Sequence, residues 1–213
     1  MNRTGPVALA DVVHVVAEFA RADGDQVIGS PVAVARGGRH LFNTLLSETD
    51  IWRLVDDGLA TSDAWFVQTQ DEDQGVRALP RRGRTYGRSV VRGALLDGYT
   101  MLVVAIDSLV PPVGVFRREL EVKLGARVGI NAYFTPPSPA GPCQGFPWHD
   151  DAHDVIALQA AGRKTWELGG DAASGGRVLL GEGDMLYVPR GVVHRTFGGD
   201  VPSLHLSVGL ATM

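Results

Sequence analysis

The sequence of 213 residues contains a single cysteine, Cys143, and has no surplus of positive charge. One cysteine excludes an intrachain disulfide framework and fits a reducing compartment. The sequence has 20 Lys and Arg residues and 24 Asp and Glu residues, which gives a formal net charge of -4. A general nucleic-acid binder usually carries a basic surplus that displaces counterions from the phosphates, so we expect no nucleic-acid partner.

Long apolar runs are lacking as well. Asp11 and Glu18 interrupt the apolar stretch near the N-terminus before it could act as the hydrophobic region of a secretory signal. No other run approaches the roughly 20 apolar residues that span a bilayer. These absences predict a cytoplasmic protein without a membrane partner. The length suits one generous domain, so we expect a single domain over residues 1–213.

The first half of the chain carries helix signals. Apolar residues recur at helical spacing between Leu9 and Phe19, and a capping pattern begins at Ser47. A third helix is predicted from Pro111 to Gly125, because proline suits a first helical turn and glycine suits a helix end. These helices are expected to pack on a sheet.

Strand signals dominate the second half. Runs of strand length that are rich in β-branched and aromatic residues alternate with Gly-rich or Pro-rich turns. Short, evenly spaced strands of this kind are typical of an antiparallel sandwich or barrel. We predict a mainly β protein with helices (α+β), in which residues 1–125 form a helical and strand-containing portion and residues 126–213 form the β core. The predicted strands are 64–67, 100–104, 127–134, 154–159, 164–168, 177–180, 185–188, 192–197 and 203–210.

Six arginines lie between Arg77 and Arg92, directly after an acidic cluster. We interpret this segment as a solvated, partly self-paired loop. A docking surface for an anionic partner is the alternative.

The stretch from Pro147 to Asp154 holds two histidines and three carboxylates. Side chains alternate along an extended backbone, so His149 and Asp151 point to the same face while Asp150 points away. An imidazole and a carboxylate on one face can bind one edge of a metal ion. A third ligand must come from elsewhere, and His194 offers it.

Two histidines and one carboxylate form a facial triad that leaves positions on iron(II) open for a cosubstrate and oxygen. Cys143 is the only thiol, which disfavours a structural zinc site. We therefore predict a catalytic metal site and not a structural one. His153 shares the predicted face but is not needed by the triad, and His205 is interpreted as a satisfied core histidine. The alternatives are a metal-ligand role for His153 and an active-site contact for His205.

Lys164 lies on the apolar face of a predicted strand. It alternates in phase with Trp166 and Leu168, whereas Arg163, Thr165 and Glu167 are expected to face water. A lysine on an apolar face is costly unless an anion pairs with it. Lys164 is therefore the candidate for binding an acidic cosubstrate, with a lysine that extends to the strand end as the alternative.

Five blocks of sequence occur in a characteristic order, and they include the motif His149-x-Asp151 and the run Gly162-Arg163-Lys164-Thr165-Trp166. The chain resembles the JmjC-type cupin oxygenases, in the branch that includes the ribosomal-protein hydroxylases. The resemblance is clear over roughly residues 130 to 210. The blocks run from Asn131 to Pro137, Gly145 to Val155, Leu158 to Trp166, Gly183 to His194 and Ser203 to Leu210.

This resemblance implies a double-stranded β-helix that uses iron(II), 2-oxoglutarate and oxygen to hydroxylate an unactivated carbon. It also implies that His149, Asp151 and His194 bind the iron and that Lys164 pairs with the distal carboxylate of 2-oxoglutarate. The other residues that it places near cosubstrate or substrate are Asn131, Tyr133 and Ser207.

Three functional hypotheses follow. The first is a hydroxylase of an amino-acid side chain in a peptide, a protein or a peptide-like small molecule. The second keeps fold and metal but makes the protein a cosubstrate-independent cupin dioxygenase or isomerase, in which Lys164 pairs with substrate. The third is a non-catalytic cupin binding module. The oligomeric state stays open, with a homodimer among the options.

Overall fold

The computed structural model describes residues 7–21, 32–38, 40–58, 64–69, 76–78, 86–137, 145–169 and 176–211. Within these residues the helices are α1 (Leu9–Arg21), α2 (Glu48–Asp56), α3 (Arg88–Leu96) and α4 (Pro111–Leu124), with a short 3-10 helix at Ile106–Ser108. The strands are β1 (Ala33–Ala35), β2 (Ala64–Thr69), β3 (Val76–Ala78), β4 (Thr100–Val103), β5 (Arg127–Thr135), β6 (Gly145–His149), β7 (Asp154–Leu168), β8 (Gly176–Gly181), β9 (Met185–Val188), β10 (His194–Phe197) and β11 (Ser203–Ala211).

Three helices follow their local signals. The apolar stripe of α1 is buried. In α2 the side chain of Ser47 accepts a hydrogen bond from the Asp50 backbone N–H, and the Asp50 carboxylate accepts one from the Ser47 backbone, which completes a capping box. Helix α4 has Pro111 in its first turn and ends at Gly125 in the left-handed conformation. The three predicted helices are confirmed.

Helix α3 corrects the interpretation of the arginine-rich segment as a loop. Residues from Arg88 onward are helical because Val91, Ala94 and Leu95 form a buried face, at a spacing that the neighbouring arginines obscure. Arg92 binds the carboxylate of Asp56 with its Nη2 2.6 Å from Oδ1. The rest of the predicted docking surface falls largely outside the described side chains.

Strand β7 corrects a second expectation. The sequence predicts two strands, but residues 154–168 form one continuous strand of 15 residues that bends at Gly162. Gly162 has a φ of +63°, a left-handed conformation that favours glycine. The glycine turns the strand without ending it, because hydrogen bonding to neighbouring strands continues on both sides.

The strand pairs among the described residues are all antiparallel, and they form two sheets that share β7. The larger sheet has the order β1-β9-β7-β11-β5-β4-β2-β3. Residues of β7 before the bend pair with β9 and β11, whereas residues after it pair with β8 and β10. Strand β10 also pairs with β6, so the smaller sheet contains β6, β10, β7 and β8.

Strands β5 and β11 separate an apolar layer from a polar interior. Leu204, Leu206 and Val208 of β11 join the helices in one buried cluster. The alternate positions, Ser203 and His205 among them, point the other way, between the two sheets. A second apolar cluster built on β7, β8 and β9 lies there.

This architecture confirms a mainly β fold of the jelly-roll type with helices packed on one face of the larger sheet. Strands from both halves of the chain share that sheet, since β4 pairs with β5. The assignment of residues 1–213 to one domain stays a prediction. None of the described helices combines the length and apolarity that crossing a membrane would require.

Replacing Gly162 with alanine tests the bend in β7. A Cβ at this position would lie 1.7 Å from the Pro202 carbonyl oxygen. Gly125 has a similar φ of +65° but open space around it, so it isolates the conformational cost from the clash. We expect Gly125→Ala to lower the free energy of unfolding by about 1 kcal/mol and Gly162→Ala to lower it by about 3 kcal/mol, measured by urea denaturation. Equal losses in the two variants would contradict the tight contact at the bend.

Candidate active site

Three potential metal ligands converge between the sheets. His149 ends β6, Asp151 follows it, and His194 begins β10 directly opposite His149 in the antiparallel register. One ligand atom from each lies within 4.8 Å of the other two, with His194 Nε2 3.7 Å from Asp151 Oδ2. No other cluster of this kind occurs in the part of the chain that the structure describes. The local pattern predicted the first two residues, and strand pairing brings the third to them.

Both histidines are held in the same way. The Nδ1–H of His149 donates to the Pro147 carbonyl at 2.8 Å, and that of His194 donates to the Val192 carbonyl at 2.9 Å. A carbonyl only accepts, so each ring carries its proton on Nδ1 and leaves the lone pair of Nε2 for a ligand. Burial lowers the pKa of His194, which favours the neutral form that binds metals.

Backbone and ion-pair contacts tie the two ligand-bearing segments together. The Gly191 N–H donates to the Asp151 carbonyl at 2.9 Å. The Arg190 backbone N–H donates to Asp154 Oδ1 at 3.0 Å, and its guanidinium lies 3.2 Å from Oδ2. These contacts join the turn before β10 to the segment that carries Asp151.

Six aromatic rings form a closed circuit around the pocket, which we call the aromatic collar. Each ring contacts the next, and successive ring centroids lie 4.2 to 5.5 Å apart. The collar surrounds a cleft that Asp151 and Ser207 also line. In circuit order, its members are Phe146, His149, His194, Trp166, His205 and Tyr133.

Lys164 is buried in the interior as the alternation predicted. Its side chain is 1% exposed, and its ammonium donates to the Thr135 hydroxyl. Thr135 in turn shares a 2.9 Å hydrogen bond with buried Thr100. Desolvation lowers the pKa of Lys164 to about 7. No carboxylate accompanies the ammonium among its described hydrogen bonds, so an anionic ligand would find a partly unsatisfied cation.

The opposite face of the same strand segment is less solvated than predicted. Arg163 is exposed, but Glu167 is half-buried and binds the guanidinium groups of Arg177 and Arg195. The assignment of Lys164 to the inner face is unaffected.

Two of the three further pocket candidates line the cleft, and the third is not among its described lining residues. Tyr133 and Ser207 line the cleft, and burial raises the pKa of the Tyr133 hydroxyl, with the Asp151 charge as a smaller cause. Asn131 lies opposite Ser207 in the register of β5 and β11, but its side-chain oxygen accepts a hydrogen bond from the Ala105 N–H at 3.1 Å. It is absent from the described lining of the cleft, and its role toward cosubstrate or substrate stays a prediction.

The interpretation of His205 as a satisfied core histidine is wrong. It lines the cleft, stacks on Tyr133 with 3° between the ring planes, and leaves Nδ1 without a partner among the described residues. Burial lowers its pKa well below the usual value, and the charge of Lys164 adds to this. Alternation along β11 puts His205 on the same face as Ser207, and this pattern could have predicted its place in the cleft. In the same way, alternation along β5 puts Thr135 on the face of Tyr133 and could have predicted its interior position.

His153 stays outside the ligand cluster. Its imidazole Nε2 lies 2.6 Å from the point where a Cβ on Gly209 would stand, so it occupies the space that a side chain there would need. Cys143 lies outside the described residues.

A jelly-roll of two antiparallel sheets with two histidines and a carboxylate facing its interior defines the cupin class. Residues 116–178 and 173–213 match the model of the JmjC domain. Residues 116–213 therefore carry a JmjC domain, and the chain is similar to the ribosomal oxygenases.

Named relatives support this placement. Ribosomal oxygenase 1 of Rattus norvegicus is 33% identical over 83% of this chain and 32% of its own length. Ribosomal oxygenase 1 of Gallus gallus is 27% identical over 90% of this chain and 34% of its own length. The chain thus spans about a third of the length of these relatives.

Solved structures show the same fold. The ribosomal oxygenase YcfD of Escherichia coli, in complex with cobalt and 2-oxoglutarate, superposes with a TM-score of 0.62 at 20% identity. The match covers 92% of this chain and 51% of YcfD.

The buried ammonium predicts a characteristic pH dependence of stability. Below about pH 7 Lys164 is charged in the folded and unfolded chain, and the full desolvation cost opposes folding. Between about pH 7 and its unfolded value near 10.5, the unfolded chain binds more protons, so stability rises with pH. Metal-free wild type should therefore gain up to about 1.4 kcal/mol per pH unit there relative to Lys164→Met.

Urea denaturation from pH 6 to 10 measures this difference. The only other lysine, exposed Lys123, provides the control, and Lys123→Met should keep the wild-type slope. Parallel pH profiles for wild type and Lys164→Met would show that the ammonium is not desolvated.

Proposed function

We propose that this chain is an iron(II)- and 2-oxoglutarate-dependent oxygenase that hydroxylates an amino-acid side chain. The observation that carries the proposal is the placement of two complementary groups in one barrel interior. A His-Asp-His cluster opens onto a cleft, and a buried lysine without a carboxylate among its described hydrogen-bond partners lies on an adjoining strand. The names of the relatives, ribosomal oxygenases and a bifunctional lysine-specific demethylase and histidyl-hydroxylase, support the same reaction class.

The donor set fits iron(II). Two imidazoles and one carboxylate bind three positions on one side of a metal ion and leave the others open. The backbone hydrogen bonds at both Nδ1 atoms preorient the Nε2 lone pairs of His149 and His194. The cluster found among the described residues contains no thiolate, which suits a metal used for oxygen chemistry better than a closed structural zinc site.

The interior also offers a partner for the far end of a dicarboxylate. Lys164 can place a charge-assisted hydrogen bond on a carboxylate, and burial strengthens that bond because little water competes. The hydroxyl of Thr135 orients the ammonium by accepting a hydrogen bond from it. A ligand that reaches from the triad to Lys164 needs one chelating end and one anionic end, as 2-oxoglutarate has.

Bound iron with 2-oxoglutarate and oxygen supplies the oxidising power that replaces a C–H bond by C–OH. The chain itself contributes position and exclusion of water. The collar shields the cleft with apolar ring surfaces, while Ser207 and Asp151 leave a polar side toward which a substrate can approach. The pairing of Arg190 with Asp154 keeps the ligand-bearing segments in register.

The names of the relatives indicate a substrate class. One relative is named a ribosomal oxygenase and another is named for action on lysine and histidine residues. A protein or peptide side chain is therefore the first class to test, with peptide-like small molecules as the second. Incubation with peptide libraries would reveal a product heavier by one oxygen atom, and tandem mass spectrometry would locate the oxidised residue.

Succinate formation from 2-oxoglutarate under air tests the reaction itself. Wild type with added iron(II) should produce succinate, and His149→Ala should produce none because a triad ligand is missing. Lys164→Met should raise the KM for 2-oxoglutarate about 100-fold, since a buried charge-assisted hydrogen bond is lost. Arg163→Met, on the opposite face of the same strand, should behave like wild type.

The outcomes separate the rival hypotheses. Tight iron binding without succinate formation or cosubstrate binding would favour a cosubstrate-independent cupin. Failure to bind iron at all would favour a non-catalytic binding module.

A further inference from the structure

Two nitrogen atoms of the aromatic collar are buried without a hydrogen-bond partner among the described residues. They are Nε1 of Trp166 and Nδ1 of His205. A buried polar atom that makes no hydrogen bond costs about 1 to 3 kcal/mol, so such atoms are rare unless a ligand or water satisfies them. Both belong to residues that line the cleft, and their rings contact each other with centroids 5.4 Å apart.

Trp166 and His205, which carry these two nitrogens, lie near the buried ammonium of Lys164. Lys164 and Trp166 stand two residues apart on the inner face of β7, which places their side chains next to each other. His205 faces them from β11 and is close enough to Lys164 for the ammonium charge to lower its pKa. Three groups capable of donating hydrogen bonds therefore lie on the inner faces of two paired strands, β7 and β11.

A carboxylate suits this arrangement better than a neutral group. Its two oxygens offer about four acceptor sites, which one ammonium already bonded to Thr135 cannot fill. The indole N–H only donates, and a neutral imidazole with its proton on Nδ1 donates there as well. A ligand that ended in a methyl group would leave both nitrogens unsatisfied, which is a strong basis for discrimination.

We propose that Trp166 Nε1 and His205 Nδ1 donate hydrogen bonds to the far carboxylate of the cosubstrate beside Lys164, and so select a dicarboxylic over a monocarboxylic oxo acid. This inference rests on the proposed function. The two residues bind the cosubstrate directly, whereas Phe146 of the same collar acts by packing.

Calorimetric titration of the Mn(II)-loaded protein tests the selection without turnover. Pyruvate has the chelating end of 2-oxoglutarate but lacks the far carboxylate, so it reports on every contact except the proposed one. His205→Phe and Trp166→Phe should each raise the Kd of 2-oxoglutarate about 10-fold and leave that of pyruvate unchanged. His205→Asn, which keeps an N–H near the Nδ1 position, should recover part of the loss.

A packing control separates binding from structure. Phe146→Leu removes a collar ring that has no polar atom, so it should change the Kd of both oxo acids by the same factor. In Zn(II)-loaded wild type, the ¹⁵N resonances of Trp166 Nε1 and His205 Nδ1 should shift with 2-oxoglutarate and stay in place with pyruvate.

Two results would overturn the inference while wild type still binds 2-oxoglutarate. One is an equal loss for 2-oxoglutarate and pyruvate in the His205 and Trp166 variants, and the other is no loss for either acid. Wild type that binds neither acid in the presence of metal would instead overturn the proposed function together with this inference.

Discussion

The continuous pairing of β7 with four strands is the constraint on which the rest of the structure depends. Before the bend at Gly162 the strand belongs to the larger sheet, and after it the strand belongs to the smaller one. One run of backbone therefore fixes the distance and angle between the sheets. Lys164 and Trp166 follow the bend directly, so the same turn that joins the sheets also sets how deep these side chains lie in the interior.

The two faces of the larger sheet have different roles, one in stability and one in binding. Its outer face packs apolar side chains against the helices and supplies most of the buried apolar surface. Its inner face can then carry polar groups that contribute little to folding. Gln159 illustrates this: its Nε2 donates to Ser203 Oγ at 2.9 Å, while its Oε1 has no partner among the described residues. A buried lysine and a neutral buried histidine are tolerated in the same way, because the helical face supplies stability and ligands can satisfy the interior.

The JmjC match and the ligand cluster coincide in one part of the molecule. The JmjC match begins in α4 and extends through β11, and every ligand-cluster and collar residue falls within it. The helices and strands before it complete the larger sheet and cover its outer face. Relatives of about three times this length share the core, so differences in specificity are expected outside the ligand cluster.

Local sequence patterns determined a large part of this structure. Helix spacing and caps located α1, α2 and α4, and strand alternation put His149 with Asp151 and Lys164 with Trp166 on common faces. These features depend on neighbours within a few residues, so the sequence carries them directly. Helix α3 was not predicted because its arginines obscure a narrow apolar face. Strand β7 was predicted as two strands because a glycine usually marks a turn.

The tertiary structure alone decided which distant strands meet and in what register. It placed His194 opposite His149, brought Trp166 against His205, and closed six rings into a collar. It also gave Lys164 its hydrogen bond to Thr135, which lies 29 residues earlier in the chain. Such contacts arise from hydrogen bonding between strands far apart in sequence, and a pattern that specifies only the face of each strand cannot specify its partner.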